Sequence, residues 1–170
     1  MGEAGVFAPE ARLELIEGEI VETAPLGSLH AAVVRILNGL FVRLVDDLAI
    51  VSGQSPLVVG ERSVPEPDIV LLKPRADHYS KSHPVAADAL LVIEVSDTTF
   101  RFDLDTKIPL YARAGITEAW VVDLQGRTLR VFRDPGAGGY RTNFTVSGDE
   151  NVSARALPEV RVAMTEIFPK

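Results

Sequence analysis

The run Ala89-Leu90-Leu91-Val92-Ile93-Glu94-Val95 decides the fold. A segment this short, this apolar and this rich in branched side chains reads as a strand of a central sheet, buried on both faces. One acid stands in the middle of it. A buried charge costs several kcal/mol unless it is paired or bound to a metal, so Glu94 demands a partner.

Working upstream, Pro65-Glu66-Pro67-Asp68 leads into Ile69-Val70-Leu71-Leu72. Pro67 drives Glu66 into an extended conformation, and Asp68 opens a second apolar strand read over 68–72. Taken alone, an Asp there is an ordinary turn former. Downstream, a helix is predicted over 103–114 with Gly115 as its stop, and Pro109 in its early part predicts a late start or a kink. Lys107 lies in that helix. By itself it reads as a solvated residue paired with Asp103 at i,i+4, just as the bland reading of Glu94 is a buried pair with an Arg. If the two strands are neighbours and the helix packs back over their ends, Asp68 and Glu94 can share a hard cation with Lys107 aimed at the same spot. Two carboxylates plus water suit Mg²⁺ or Mn²⁺. Such a cation polarises a phosphoryl oxygen and lowers the pKa of a bound water, while a lysine stabilises developing negative charge or positions the nucleophile.

The remaining chain supplies a mixed sheet with helices packed on it. Leu13–Ile16 and Glu19–Glu22 read as a hairpin around Glu17-Gly18. Ser28 reads as the N-cap of a long helix whose apolar stripe is Leu29, Val33, Ile36, Leu37, Leu40, Leu44 and Leu48. Further strands are predicted over 49–52, 56–59, 117–123, 128–133 and 140–146, with turns at Gln125-Gly126 and 134–139 and an apolar tail, Leu157 to Phe168, that docks. Single helices among strands, with a strand-rich second half, give an α/β (α+β) fold, not a doubly wound parallel sheet.

The 170 residues and 46 % hydrophobic content fit one domain spanning residues 1–170. With no cysteine there is neither a disulfide framework nor a thiolate metal site, which favours a reducing cytoplasm. Met1 to Ala11 lack the marks of a signal peptide and no run approaches bilayer-spanning length, so the expectation is a soluble, unprocessed protein without a membrane partner. The net charge of -7 argues against loose, phosphate-driven binding to nucleic acid unless the 17 Lys and Arg residues line one groove.

The combination Pro67-Asp68, Leu91-Val92-Ile93-Glu94-Val95-Ser96, Asp103, Lys107, Tyr111, Ala114-Gly115-Ile116 and Glu118-Ala119-Trp120-Val121-Val122-Asp123 resembles the Uma-type restriction-endonuclease-like family of the PD-(D/E)xK nuclease superfamily. Leu13 to Glu19 resembles that family's opening hairpin, His30 its helix-start histidine, Gln54-Ser55-Pro56 its next strand, and Leu157 to Phe168 its closing segment. The resemblance implies a restriction-endonuclease-like fold and metal-dependent DNA cleavage. It also implies that Asp68 and Glu94 are metal ligands and Lys107 the catalytic lysine. Two residues after the Glu, where the wider superfamily keeps its lysine, this chain has Ser96; in the Uma-type pattern the lysine comes from the following helix, as Lys107 would.

Other residues carry two readings each. Glu14 and Glu19 are polar residues on the outer face of a hairpin or supports for the metal site. His30 is a surface residue near a helix start, or a group that contacts phosphate or activates water. Gln54 hydrogen-bonds at the site or closes a turn, and Ser96 joins the supporting set. His78 and His83, five apart in a polar loop, read as surface residues, not zinc ligands. Trp120 and Tyr111 read as core and core-edge residues, not as base-stacking platforms. No Walker loop, dinucleotide fingerprint or nucleophile elbow is present. The leading expectation is an Mg²⁺- or Mn²⁺-dependent endodeoxyribonuclease acting on DNA as a homodimer, because one small domain offers one cutting site and a duplex has two strands. The alternatives are a nuclease-fold module that binds DNA or protein without turnover, and an enzyme acting on a small phosphate ester.

Overall fold

The computed structural model describes residues 13–23 and 27–169. Strands β1 (Leu13–Ile16) and β2 (Glu19–Glu22) pair antiparallel as a hairpin of their own. Both turn residues take positive φ, 52° at Glu17 and 91° at Gly18, the left-handed geometry that matches strand twist. Gly18 is favoured there by its φ, and a Cβ on it would push aside the guanidinium of Arg62, which donates to the Glu17 carbonyl at 2.8 Å.

The main sheet has six strands, β3 (Ile50–Gly53), β4 (Ile69–Leu72), β5 (Ala89–Ser96), β6 (Glu118–Asp123), β7 (Thr128–Gly136) and β8 (Gly139–Val146), side by side in that order. Only β5 and β6 run parallel. A parallel pair needs a crossover, and the helical segment from Phe100 to Arg113 provides it. The mixed sheet and the strand-rich second half are thus as the sequence implies. Two short strands, β9 (Asn151–Ser153) and β10 (Arg161–Ala163), pair near the end of the chain, before helix α4 (Met164–Ile167).

Side-chain alternation splits the core in two. Ile69 and Leu71, Leu91, Ile93 and Val95 face one layer, where helix α1 (Ser28–Val45) and the buried tail residues Leu157, Val162 and Ile167 cover them. Val70, Leu72 and Val92 face the other, against Ile108 and Tyr111 of the crossover. Glu94 has the parity of Val92, so it points toward the crossover helix.

Several local expectations are corrected. The N-cap of α1 is Gly27, and Ser28 is the first helical residue. The buried stripe is His30, Val33, Leu37, Leu40, Phe41 and Val45; Leu29 and Leu48 are exposed, because the helix is rotated so that its larger ring, Phe41, packs on Trp120. Residues 56–59 make only an isolated bridge, Val58 to Val85. Prolines at 56, 65, 67 and 84 lack the amide donors a ladder would need there. The crossover helix begins at Phe100, not late, as α2 (Phe100–Phe102), and continues through a π-turn (Asp103–Lys107) into α3 (Ile108–Arg113). The widened turn lies directly before Pro109, whose ring clashes with the carbonyl four residues back and whose missing N–H cannot hold a regular α-turn. Gly115 stops the helix with φ 79°. Finally, Ser28–Leu48 is long and apolar enough by length and composition to cross a bilayer, contrary to the reading that no run approaches that length.

Phe41 is fully buried and its ring centre lies 6.2 Å from that of Trp120, the single tryptophan. Phe41→Ala should therefore lower unfolding free energy by about 3–5 kcal/mol, read from urea denaturation followed by Trp120 fluorescence; a loss within error of zero would remove α1 from the core.

Candidate active site

The β4–β5 register creates the site. Ile69 pairs with Ile93 and Val70 with Val92, so one step further brings Asp68 opposite Glu94. Directly opposed residues of an antiparallel pair stand roughly 4.5–5.5 Å apart at Cβ, and like charges so placed repel. Asp68 and Glu94 are the residues that would hold a hard divalent cation there, since such cations take oxygen ligands. Asp68 also accepts the backbone N–H of Val95 at 2.9 Å, which fixes it beside Glu94.

Asp68 is thoroughly held. Its Oδ2 also accepts His30 Nε2 at 3.1 Å, and its Oδ1 accepts Gln54 Nε2 at 3.2 Å. Burial works to raise its pKa, but these donors outweigh burial and keep the carboxyl below its ordinary value, so Asp68 stays ionised. His30 and Gln54 thus serve the site: α1 delivers the first, and a left-handed residue after β3 (φ 46°) delivers the second.

Glu94, 3 % exposed, has the opposite character. Its Oε1 accepts the Tyr111 hydroxyl at 2.5 Å and lies 3.3 Å from Lys107 Nζ. Burial raises its pKa to about 8; Lys107 opposes this, while Asp103, Asp68 and Glu14 add to it. Lys107 is also buried, yet it does not lose its proton. Burial works to lower its pKa, and Glu94, Glu14 and Asp103 together carry it above the ordinary value. Its closest partner is Glu14 Oε1 at 3.0 Å, from the hairpin, not the Asp103 that i,i+4 spacing suggests. Asp103 instead accepts Ser96 Oγ at 2.6 Å and Thr99 Oγ1 at 2.8 Å. Ser96, in the position where a superfamily lysine would stand, therefore braces a second carboxylate.

His30, Thr99 and Lys107 line one cavity of about 300 Å³ together with the carboxylates of Glu14, Glu66, Asp68, Glu94, Asp97 and Asp103, while Gln54, Ser96 and Tyr111 stand behind it and bond to Asp68, Asp103 and Glu94. The structure brings together Asp68, Glu94, Lys107, Glu14, His30, Gln54 and Ser96. Glu19 is exposed on β2 and does not line the cavity, so its supporting reading is corrected: it pairs with Ile16 and shares the hairpin face of Glu14, but it stands beside the exposed turn, away from the cavity. His78 and His83 are exposed. Tyr111 is core, but its hydroxyl reaches Glu94, which the sequence reading missed. The available signal was spacing, since Lys107 and Tyr111 are four apart on one helical segment.

Among the described residues, no three His, Cys, Asp or Glu side chains stand as a ready-made coordination set. The donor chemistry nevertheless fits a hard cation. Among the described residues Glu14 Oε2 is buried without a hydrogen-bond partner, Glu94 is driven toward protonation by burial first and by its acidic neighbours second, and the carboxylates of the cavity outnumber its one ammonium. Two carboxylates completed by water suffice for Mg²⁺.

The "putative restriction endonuclease" family model Uma2 matches residues 3–165. The chain belongs to the Uma2 family. A solved structure described as "a putative nuclease belonging to DUF820" from Anabaena variabilis superposes with a TM-score of 0.77 at 17 % identity, covering 98 % of this chain and 94 % of that one. That likeness establishes a shared fold. No curated protein matches the chain.

A carboxyl that holds its proton more tightly folded than unfolded stabilises the fold at low pH and withdraws that stability as pH climbs from its ordinary value, 4.5, to its folded value, about 8. In EDTA, Tm should therefore fall as pH rises from about 5 to about 8, and Glu94→Gln should flatten the decline. A wild-type Tm that rises across that window would contradict the assignment.

Proposed function

We propose that this Uma2-family chain is a divalent-metal-dependent endodeoxyribonuclease, with Asp68 and Glu94 holding Mg²⁺ or Mn²⁺ and Lys107 serving the reaction. The observation that carries this reading is the convergence of the three residues on one cavity, two acids across a strand pair and a buried ammonium 3.3 Å from one of them. The fold shared with a nuclease structure supports it.

The bound cation would polarise a phosphoryl oxygen and acidify a water. The protein's own groups do the rest. Asp68, ionised and fixed by three donors, presents a pre-oriented carboxylate. Glu94, whose burial favours its protonated form when no cation is present, would be the second residue to hold the cation, giving up that proton on binding. Lys107, kept protonated by Glu94 and Glu14, offers N–H donors to a phosphate oxygen whose charge grows in the transition state. It does not act as the base in that state. A homodimer would put two such sites on the two strands of a duplex.

The net charge of -7 and the acid-lined cavity favour a second reading, a nuclease-fold module that binds without turnover. Plasmid and branched DNA with Mn²⁺ separate the two. Asp68→Ala and Lys107→Ala should each reduce cleavage by about 10²–10⁴-fold. Cleavage that survives Asp68→Ala would sink the proposed mechanism; absence of cleavage by wild type with Mn²⁺ bound would favour the binding module.

A further inference from the structure

Tyr111 has no part in the function just proposed, yet its hydroxyl sits on a candidate ligand. It is 0 % exposed, comes from the α3 turn after Lys107, and donates to Glu94 Oε1 at 2.5 Å. Lys107 approaches the same oxygen at 3.3 Å, and among the described residues both donors fall on Oε1 and not on Oε2. Lys107 is in turn tied to β1 through Glu14 at 3.0 Å. Both donors from the crossover thus converge on one side of the carboxylate.

We propose that Tyr111 is a positioning residue for Glu94: its hydroxyl, with Lys107, occupies Oε1, fixes the plane of the carboxylate and reserves Oε2 for a divalent cation. The inference rests on the metal-site reading above. A phenol, with an ordinary pKa of about 10, is a neutral O–H donor at neutral pH. Lys107 alone would be a poorer clamp, because its ammonium rotates freely and is shared with Glu14. Outer groups that orient a metal-binding side chain typically contribute 10–100-fold to metal affinity. Mg²⁺ demands near-ideal octahedral geometry, whereas larger cations tolerate looser ligands. Loss of the clamp should therefore penalise Mg²⁺ more than Mn²⁺.

The test is Tyr111→Phe, which keeps the ring in the core and removes one oxygen. Metal binding is measured by calorimetry with Mg²⁺ and with Mn²⁺, and by the rise in Tm that each metal produces, a readout that remains valid if the variant is somewhat destabilised. The expected result is a roughly 10–100-fold weaker Mg²⁺ affinity, a smaller loss for Mn²⁺, and no further loss when Tyr111→Phe is added to Glu94→Gln. Unchanged affinities, or a lower metal-free Tm with an unchanged metal-induced rise, would reduce Tyr111 to a packing residue and overturn the proposal. A wild type that binds neither metal would overturn it together with the nuclease reading. Metal binding that weakens in Tyr111→Phe, in a protein that cuts no nucleic acid, would support the clamp while removing the nuclease.

Discussion

One buried ammonium among crowded carboxylates is the constraint on which the structure depends. Lys107 lies between Glu14 and Glu94, with Asp103 close enough to raise its pKa and Asp68 beyond Glu94. Burying any one of these charges alone would be costly, and the gathering persists because they offset one another. The balance is incomplete. Acid exceeds base in the cavity, Glu94 leans toward its protonated form, and one oxygen of Glu14 has no partner. Under the metal-site reading proposed above, a cation entering the cavity would offset this residual imbalance, and clusters of perturbed ionisable groups concentrate at functional sites.

The fold exists to keep those groups at fixed separations. The antiparallel register of β4 on β5 sets the two acids opposite each other. The parallel step from β5 to β6 obliges the chain to cross the sheet, and the crossover brings Lys107 and Tyr111 over the strand that holds Glu94. The π-turn before Pro109 buries both Asp103 and Lys107. On the opposite face α1 contributes His30 from its first turn while its apolar side seals the larger core. Rigid elements therefore supply nearly every group, which suits chemistry sensitive to small displacements.

Much of this was legible in the sequence because it rests on strong local signals. An acid inside Leu91-Val92-Ile93 has few innocent explanations, and Gly115 and the Glu17-Gly18 turn announced themselves by residue type. What escaped depends on long-range geometry. No local pattern says that Lys107 prefers Glu14, ninety-three positions away, to Asp103. The orientation of α1 escaped because several faces of that helix are apolar, and the choice among them was made by the ring packing of Phe41 on Trp120. Residues 56–59 misled because their composition is that of a strand, while the surrounding prolines accept hydrogen bonds from it but donate none, so that only an isolated bridge forms.

The opening hairpin is a small sheet of its own, joined to the body through the Leu15–Val64 bridge, the Glu17 amide on Ser63, the Arg113–Glu17 ion pair and the Lys107–Glu14 contact. Few of these ties are apolar, and the Arg113–Glu17 pair is half exposed, so this corner belongs to the parts of a protein that open before the whole unfolds. Each such opening would strip Lys107 of its nearest counter-charge and leave it to Glu94. The integrity of the Leu13–Glu22 hairpin is thus coupled, through Glu14 and Lys107, to the charge state of a centre assembled by residues far along the chain.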